Sequence, residues 1–200
     1  VTSAWTLLSE YSRQKGAPIT PVNFQLEKNL PVASGIGGGS ADAAATLRLL
    51  LRATGFVLSD AQQNALALKL GADVPVCYGC KSSRMRGIGE QLDPVELPGW
   101  QAVVLVNPLV PSSTAAVFGK LGLHLGQPHG APLDVAQPRS WRNDLQPAAQ
   151  ALVPDIANVI AALVAEPAIR TARMSGSGAT CFGATKSIAE AQAVATLIAR

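Results

Sequence analysis

Apolar residues in the first third of the chain recur at helical spacing, with one break. Ala4, Trp5, Leu7, Leu8 and Tyr11 share one face of a helix spanning residues 4–15, and Gly16 stops it. Val22, Phe24 and Leu26 then alternate with polar residues, which predicts a strand with one buried face. A Gly-rich run from Ser34 to Ser40 leads into an Ala/Leu-rich helix that ends near Gly55. Ser59 and Gln62 have the spacing of a capping box, opening a helix that Gly71 terminates. Residues 74–78 and 82–86 read as short strands separated by Gly79.

Gly87, Gly89, Pro94 and Pro98 mark a region of turns and a domain boundary near residue 98. Ala102 to Val106 is a continuous apolar run, as in a strand covered on both faces. Residues 119–141 hold several Gly and Pro and both histidines, a long surface loop. Pro147 and Pro154 each suit a first helical turn, and the second of these helices extends to about Ala165. Strands follow at Thr171–Met174 and Thr180–Gly183, joined by a small-residue loop. Ser187 and Glu190 form a second capping-box pair, opening a helix still running at Arg200.

Composition narrows the class. With 48% hydrophobic and 14% charged residues in 200, the chain can bury a substantial core. A net charge of +3, with no basic run longer than two residues and no aromatic ladder, predicts no nucleic-acid partner. No stretch of 18 apolar residues is present, which predicts no membrane span. Three cysteines make no disulfide framework, and a reducing cytoplasm is the expected setting.

The most informative segment is Pro31-Val-Ala-Ser-Gly-Ile-Gly-Gly-Gly-Ser-Ala41. Four glycines within Gly35–Gly39 let the backbone approach a bulky anion, because no Cβ intervenes. The free N–H groups of the loop and of the first helical turn then converge, and the helix dipole favours phosphate there. Ser40 stands where its hydroxyl caps the helix, touches a phosphate or reaches a magnesium ion. The format is neither a P-loop, which ends in Gly-Lys-Ser/Thr, nor a dinucleotide fingerprint, which needs glycine where Ser40 stands. A flexible Gly-rich turn without a ligand is the alternative.

With this loop the sequence resembles the GHMP kinases. The ordered set extends the resemblance over nearly the whole chain: Gly71-Ala-Asp-Val-Pro75, Arg86-Gly-Ile-Gly-Glu90, Asn143-Asp-Leu145 and Arg173-Met-Ser-Gly-Ser-Gly-Ala-Thr180. It implies an α+β fold of two domains: a ribosomal protein S5 domain 2-like part over residues 1–98 and a ferredoxin-like substrate domain over 99–200. It implies ATP and magnesium, and a small-molecule substrate with a hydroxyl acceptor. Within the family, the pairing of the Gly71 and Arg86 segments points to a cytidine diphosphate-linked methylerythritol.

Carried over residue by residue, Asp73 matches the catalytic aspartate, which also touches the substrate. Lys28 matches a lysine facing the nucleotide or substrate. Pro31, Val32, Ala33, Ser34, Gly35, Ile36, Gly37, Gly38, Gly39, Ser40 and Ala41 match the ATP loop. Thr114 and Phe118 fit a Thr-x-x-x-Phe pattern beside the cytidine end, with Phe118 placed to stack on cytosine. Ser177 lies in a loop, Ser175–Gly178, resembling the motif that closes over the site. No residue is assigned as a metal ligand. From the residues alone, Asp73 also reads as an exposed loop aspartate, Lys28 as a solvated strand-end lysine and Phe118 as a core phenylalanine.

Some of the family pattern has no counterpart here. A catalytic lysine in an Ala-Lys-x-Asn-like segment and a substrate histidine in an Asp-Gly-Tyr-His segment belong upstream of Val1, and His124 and His129 match no motif. The expectation is a fragment lacking the start of the S5-like domain and a final strand, inactive and poorly stable on its own. Two rival readings remain within the family: a kinase of homoserine, mevalonate or a sugar, and a nucleotide-binding paralogue without catalysis. A third comes from Cys77-Tyr-Gly-Cys80, whose C-x-x-C spacing allows a redox or zinc role. The pair is expected to be reduced and structural, since only Cys181 remains as a further thiol ligand.

Overall fold

The structure, a computed structural model, describes residues 1–30, 34–96, 102–123 and 141–199. Two compact units emerge, Val1–Asn29 with Gly37–Glu96, and Leu30–Ile36 with Leu97–Arg200. Helices and strands are mixed in both.

The first unit is built on four helices. α1 (Thr2–Gln14) buries Ala4 and Leu8, and the left-handed Gly16 follows it. α2 (Gly38–Thr54) buries Ala44, Leu47 and Leu50 and is closed by Gly55 in the left-handed region. α3 (Asp60–Leu70) opens on the predicted capping box: Ser59 Oγ accepts from the Gln62 N–H, and Gln62 Oε1 accepts from the Ser59 N–H at 2.9 Å. α4 (Val74–Gly79) adds Val74 to a core made by Leu8, Leu47, Leu50, Leu58, Leu66 and Ala67. A hairpin of β1 (Ser83–Arg86) and β2 (Gln91–Pro94) completes the unit.

Two sequence expectations change here. Residues 74–78 form a helix, not a strand. Pro75 sits in its first turn, where a missing N–H costs nothing, and a short apolar run cannot by itself tell helix from strand. Residues 22–26 have the alternation of a strand but pair with no described strand. Phe24 and Leu26 are accordingly exposed rather than buried on one face.

The second unit carries a three-stranded antiparallel sheet in the order β3-β5-β4, from β3 (Ala102–Val106), β4 (Thr171–Met174) and β5 (Cys181–Thr185). α7 (Asp155–Ala165) packs on β4 and β5, and α8 (Ile188–Ile198) packs on β3 and β5. α5 (Thr114–Lys120) and α6 (Gln146–Leu152) pack on each other. The core gathers Val104, Val117, Ala149, Ile156, Leu163, Met174 and Cys181.

β3 is where predicted, but its burial is one-sided. Val104 is buried, whereas Val103 and Leu105 are 48% and 52% exposed. Among the described residues one face of β3 is packed and the other is open, which an all-apolar run does not disclose. The expected loop at 119–141 begins after α5 ends at Lys120, and residues 124–140, with both histidines, lie outside the described residues. The second capping pair is half formed. Ser187 Oγ accepts from the Glu190 N–H, but the Glu190 carboxylate accepts from the Lys186 N–H, one residue earlier than a full box requires. α8 ends at Ile198, with Ala199 as its C-cap.

Candidate active site

Candidate residues occur in each unit. In the first, the Gly-rich run delivers the chain into α2 through Gly37, a left-handed N-cap with φ 69° and no side-chain cap. The first N–H groups of a helix lack intrahelical partners, so Gly38, Gly39 and Ser40 present theirs at this end. No acidic residue stands in that first turn. Lys28 brings its ammonium beside it, with Nζ 3.5 Å from where a Cβ on Gly38 would sit. A cation at the positive end of a helix is unfavourable alone. Here Asp42, one turn into α2, forms an ion pair with Lys28 and offsets it. The uncapped amides, the positive end of the dipole and the ammonium thus stand together, a combination that favours an anionic neighbour.

Asp73 is the N-cap residue of α4 and makes no side-chain capping bond. Its carboxylate is exposed. The hairpin turn fixes the backbone just before it. Gly89, with φ 103°, lies so close to Ala72 that a Cβ there would collide with the Ala72 carbonyl oxygen. The segments Gly71–Pro75 and Arg86–Glu90, matched separately in the sequence, therefore meet in space. Glu90 braces the turn by accepting from the Ile88 N–H at 2.7 Å, and its hydrogen bonds to its own and the Ile88 amide hold its carboxyl below the usual range.

In the second unit the loop between β4 and β5 holds the start of the Gly-rich segment. Ser175 Oγ donates to the Gly35 carbonyl at 2.8 Å, and the Thr180 N–H donates to the Ser34 carbonyl. Gly35, at φ 74°, leaves no room for a side chain: a Cβ would lie 2.5 Å from the Gly178 carbonyl oxygen and 2.6 Å from that of Ser175. Ser177, a buried residue, shares a hydrogen bond of 2.8 Å with Thr114 Oγ1 at the start of α5, and its carbonyl accepts from Ser112 Oγ. Phe118, one turn along α5, is 51% exposed and contributes nothing to the core, contrary to its reading as a core residue.

The structure thus brings Lys28 to Gly38 and Asp42, Thr114 to Ser177, and Ser34 and Gly35 to the Ser175–Thr180 loop. Pro31, Val32 and Ala33 lie outside the described residues. Asp42, Ser112 and Asn143 were not singled out as site residues. Asp42 was findable as a carboxylate one turn inside the helix that the Gly run opens. Ser112 lay in the Ser-Ser-Thr cluster that announces α5.

Cys77 lies within α4 and Cys80 is its C-cap, so the C-x-x-C pair spans a helix end and not the end of a strand. Among the described residues no group of three or more potential metal ligands occurs. Both thiols are free. Burial, and secondarily Asp73 and Cys80, raise the Cys77 thiol pKa, against the lowering effect of Arg48. Burial pushes Cys181 up to about 11. At pH 7.5 a rise of that size leaves roughly 100-fold less thiolate than in an unperturbed cysteine. Iodoacetamide is therefore expected to label the exposed Cys80 first, Cys77 more slowly, and Cys181 only after unfolding. Peptide mass spectrometry checks the order, and early labelling of Cys181 contradicts it.

Comparison with known proteins accords with this geometry. The pattern of the GHMP kinases N terminal domain matches residues 1–80, and that of the GHMP kinases C terminal matches residues 131–198. A 4-diphosphocytidyl-2-C-methyl-D-erythritol kinase of Rhizobium meliloti is 46% identical over 206 aligned residues, covering 99% of this chain and 68% of the relative. The chain belongs to the GHMP kinase family. A second kinase of that name, from Rhizobium johnstonii, is 51% identical over 186 residues, 89% of this chain and 61% of its own length. The family's solved structures agree. The crystal structure of a 4-(cytidine 5'-diphospho)-2C-methyl-D-erythritol kinase superposes with a TM-score of 0.79 at 29% identity, over 98% of this chain and 74% of that one. A homoserine kinase from Cytophaga hutchinsonii shares the fold, with a TM-score of 0.70 at 19% identity. The α+β fold is therefore that of the two-domain GHMP kinases. The chain spans 61% to 68% of the length of these two curated relatives.

Proposed function

We propose that the protein transfers the γ-phosphoryl group of ATP to a hydroxyl of 4-diphosphocytidyl-2-C-methyl-D-erythritol, in non-mevalonate isoprenoid precursor synthesis in the cytoplasm. The observation that carries this reading is the uncapped start of α2, with the Lys28 ammonium at Gly38, in a chain about half identical to kinases of that name. Residues 1–98 are assigned to ATP and residues 99–200 to the acceptor substrate. Among the described residues no helix is long and apolar enough to cross a membrane.

Phosphoryl transfer asks for positioning and charge neutralisation more than for covalent help. The amides of Gly38, Gly39 and Ser40 and the Lys28 ammonium hold the nucleotide phosphates, on a loop begun by Ser34, Gly35, Ile36 and Gly37 and continued by Ala41. Asp73, exposed and without a capping bond, takes the proton of the acceptor hydroxyl. Thr114 and Ser177 hydrogen-bond the cytidine end, and Phe118 stacks on the base. A magnesium ion suits this donor set, because that ion is held mainly by phosphates and water with one or two protein oxygens, and Ser40 offers such an oxygen at the loop. When bound it neutralises charge on the phosphates.

The test uses the chain extended to full length with the remaining segments of the Rhizobium meliloti relative. ADP release with ATP, magnesium and the cytidine diphosphate-linked methylerythritol is expected. Release with homoserine, mevalonate or a sugar alone would move the assignment to a sibling kinase. ATP binding without turnover on any of them would favour a non-catalytic paralogue. In the same assay Lys28→Met is expected to raise the KM for ATP about tenfold, the scale of one lost charge-assisted contact. The melting temperature should barely move, since the Lys28–Asp42 pair is about one-third exposed. An unchanged KM would remove Lys28 from the nucleotide site.

A further inference from the structure

The loop between β4 and β5 holds two different neighbours through two serines, Gly35 through Ser175 and Thr114 through Ser177. Something must fix the loop for both contacts to persist, because it is rich in glycine and has few side chains of its own to pack. Asn143 supplies that fixture. Its Nδ2 donates to the Met174 carbonyl at 2.9 Å and to the Gly176 carbonyl at 2.8 Å, while its Oδ1 accepts from the Leu145 N–H at 3.0 Å. Both amide hydrogens and the amide oxygen are used, so the side chain has one orientation. The two carbonyls flank Ser175. Gln146 adds a bond from the Met174 N–H, and the carbonyl of Asn143 accepts from the Gln146 N–H, so the asparagine stands on an ordered turn that begins α6.

We propose that Asn143 is a positioning residue that pins the Ser175–Gly178 loop and so sets the nucleotide-side and acceptor-side contacts together. This rests on the function proposed above, in which Gly35 belongs to the ATP loop and Thr114 and Ser177 to the acceptor site. The amide is the only side chain of this size that supplies both donors and the acceptor. An aspartate keeps the shape and the bond to Leu145 but faces two carbonyl oxygens with a carboxylate, which repels both.

The experiment has two readouts, on two samples. In the full-length enzyme, Asn143→Asp is expected to raise the KM for ATP and the KM for the cytidine diphosphate-linked acceptor, each about tenfold, as for a lost pair of hydrogen bonds. Ser175→Ala should raise the KM for ATP alone. A merely structural role would instead lower kcat in proportion to the folded fraction and leave both KM values in place. On the 200-residue chain, hydrogen exchange reads the loop without reference to activity. Asn143→Asp is expected to speed exchange at the amides of Ser175, Gly178 and Thr180, which bond to Thr180, Ser175 and Ser34, relative to the β3–β5 ladder. Unchanged KM values, or unchanged relative exchange in the loop, overturn the proposal. If the parent enzyme shows no turnover, the functional reading fails separately, and the exchange measurement alone decides whether Asn143 pins the loop.

Discussion

Replacing Asp73 by asparagine is expected to lower kcat by about 10² to 10⁴ while leaving the fold intact. The direction follows from chemistry: a carboxylate within reach of a hydroxyl takes its proton as the phosphoryl group moves, and an amide cannot. The separation of activity from stability follows from place. Asp73 is an N-cap residue that makes no side-chain capping bond, and asparagine serves as well as aspartate in that position. Its backbone is held by neighbours on both sides, Val74 in the core and Ala72 under Gly89, and these do not change. A melting temperature within about 2 °C of the parent, the scale of at most one kcal/mol, accompanies the loss. If kcat survives the substitution, Asp73 is not the base. If activity and melting temperature fall together, it is a structural residue.

Gly35→Ala is expected to be the more damaging change to the molecule as a whole. Two costs add. The φ of 74° is left-handed and disfavours any Cβ by roughly 1–2 kcal/mol. The new methyl group would also sit 2.5–2.6 Å from two backbone oxygens, which cannot swing aside as a side chain would. Together these give roughly 2–4 kcal/mol of destabilisation, or a fall in melting temperature of about 5–12 °C. Gly37 provides the control. It has a similar φ of 69°, but nothing lies within 4 Å of its would-be Cβ. Gly37→Ala should therefore show only the conformational cost, about 1 kcal/mol. Equal losses in the two variants would mean that the close approach of Gly35 to the Ser175–Gly178 loop is not what holds it.

Local signals were read well where the chain settles its structure within a few residues. The Ser59–Gln62 capping box, Gly16, Gly55 and Gly71 as helix ends, and the strand at Thr171–Met174 depend on near neighbours, and each stands as the sequence implies. Readings that depended on a distant partner did less well. Residues 22–26 alternate like a strand, but alternation makes a strand only beside another, and no described strand pairs with them. Val103 and Leu105 look like part of a doubly covered strand, yet among the described residues only the Val104 face of β3 is covered. Val74–Tyr78 was ambiguous by length, and Pro75 in a first helical turn was the overlooked clue.

The candidate site divides in the same way. The uncapped, glycine-rich start of α2 was legible because the glycines and the helix they open are adjacent in the chain. Its companions were less so. The Lys28–Asp42 pair joins residues 14 apart, and the Ser175–Gly35 bond joins residues 140 apart. No spacing rule relates such positions. Phe118 is a further case: which way it faces depends on packing around α5, and it faces outward.

The most direct test of the account is ADP release by the full-length enzyme with ATP, magnesium and 4-diphosphocytidyl-2-C-methyl-D-erythritol, measured beside its Asp73→Asn variant. Turnover is expected to require the cytidine diphosphate-linked acceptor and to collapse in the variant. A folded enzyme that releases no ADP with this acceptor, or releases it equally well without Asp73, would contradict it.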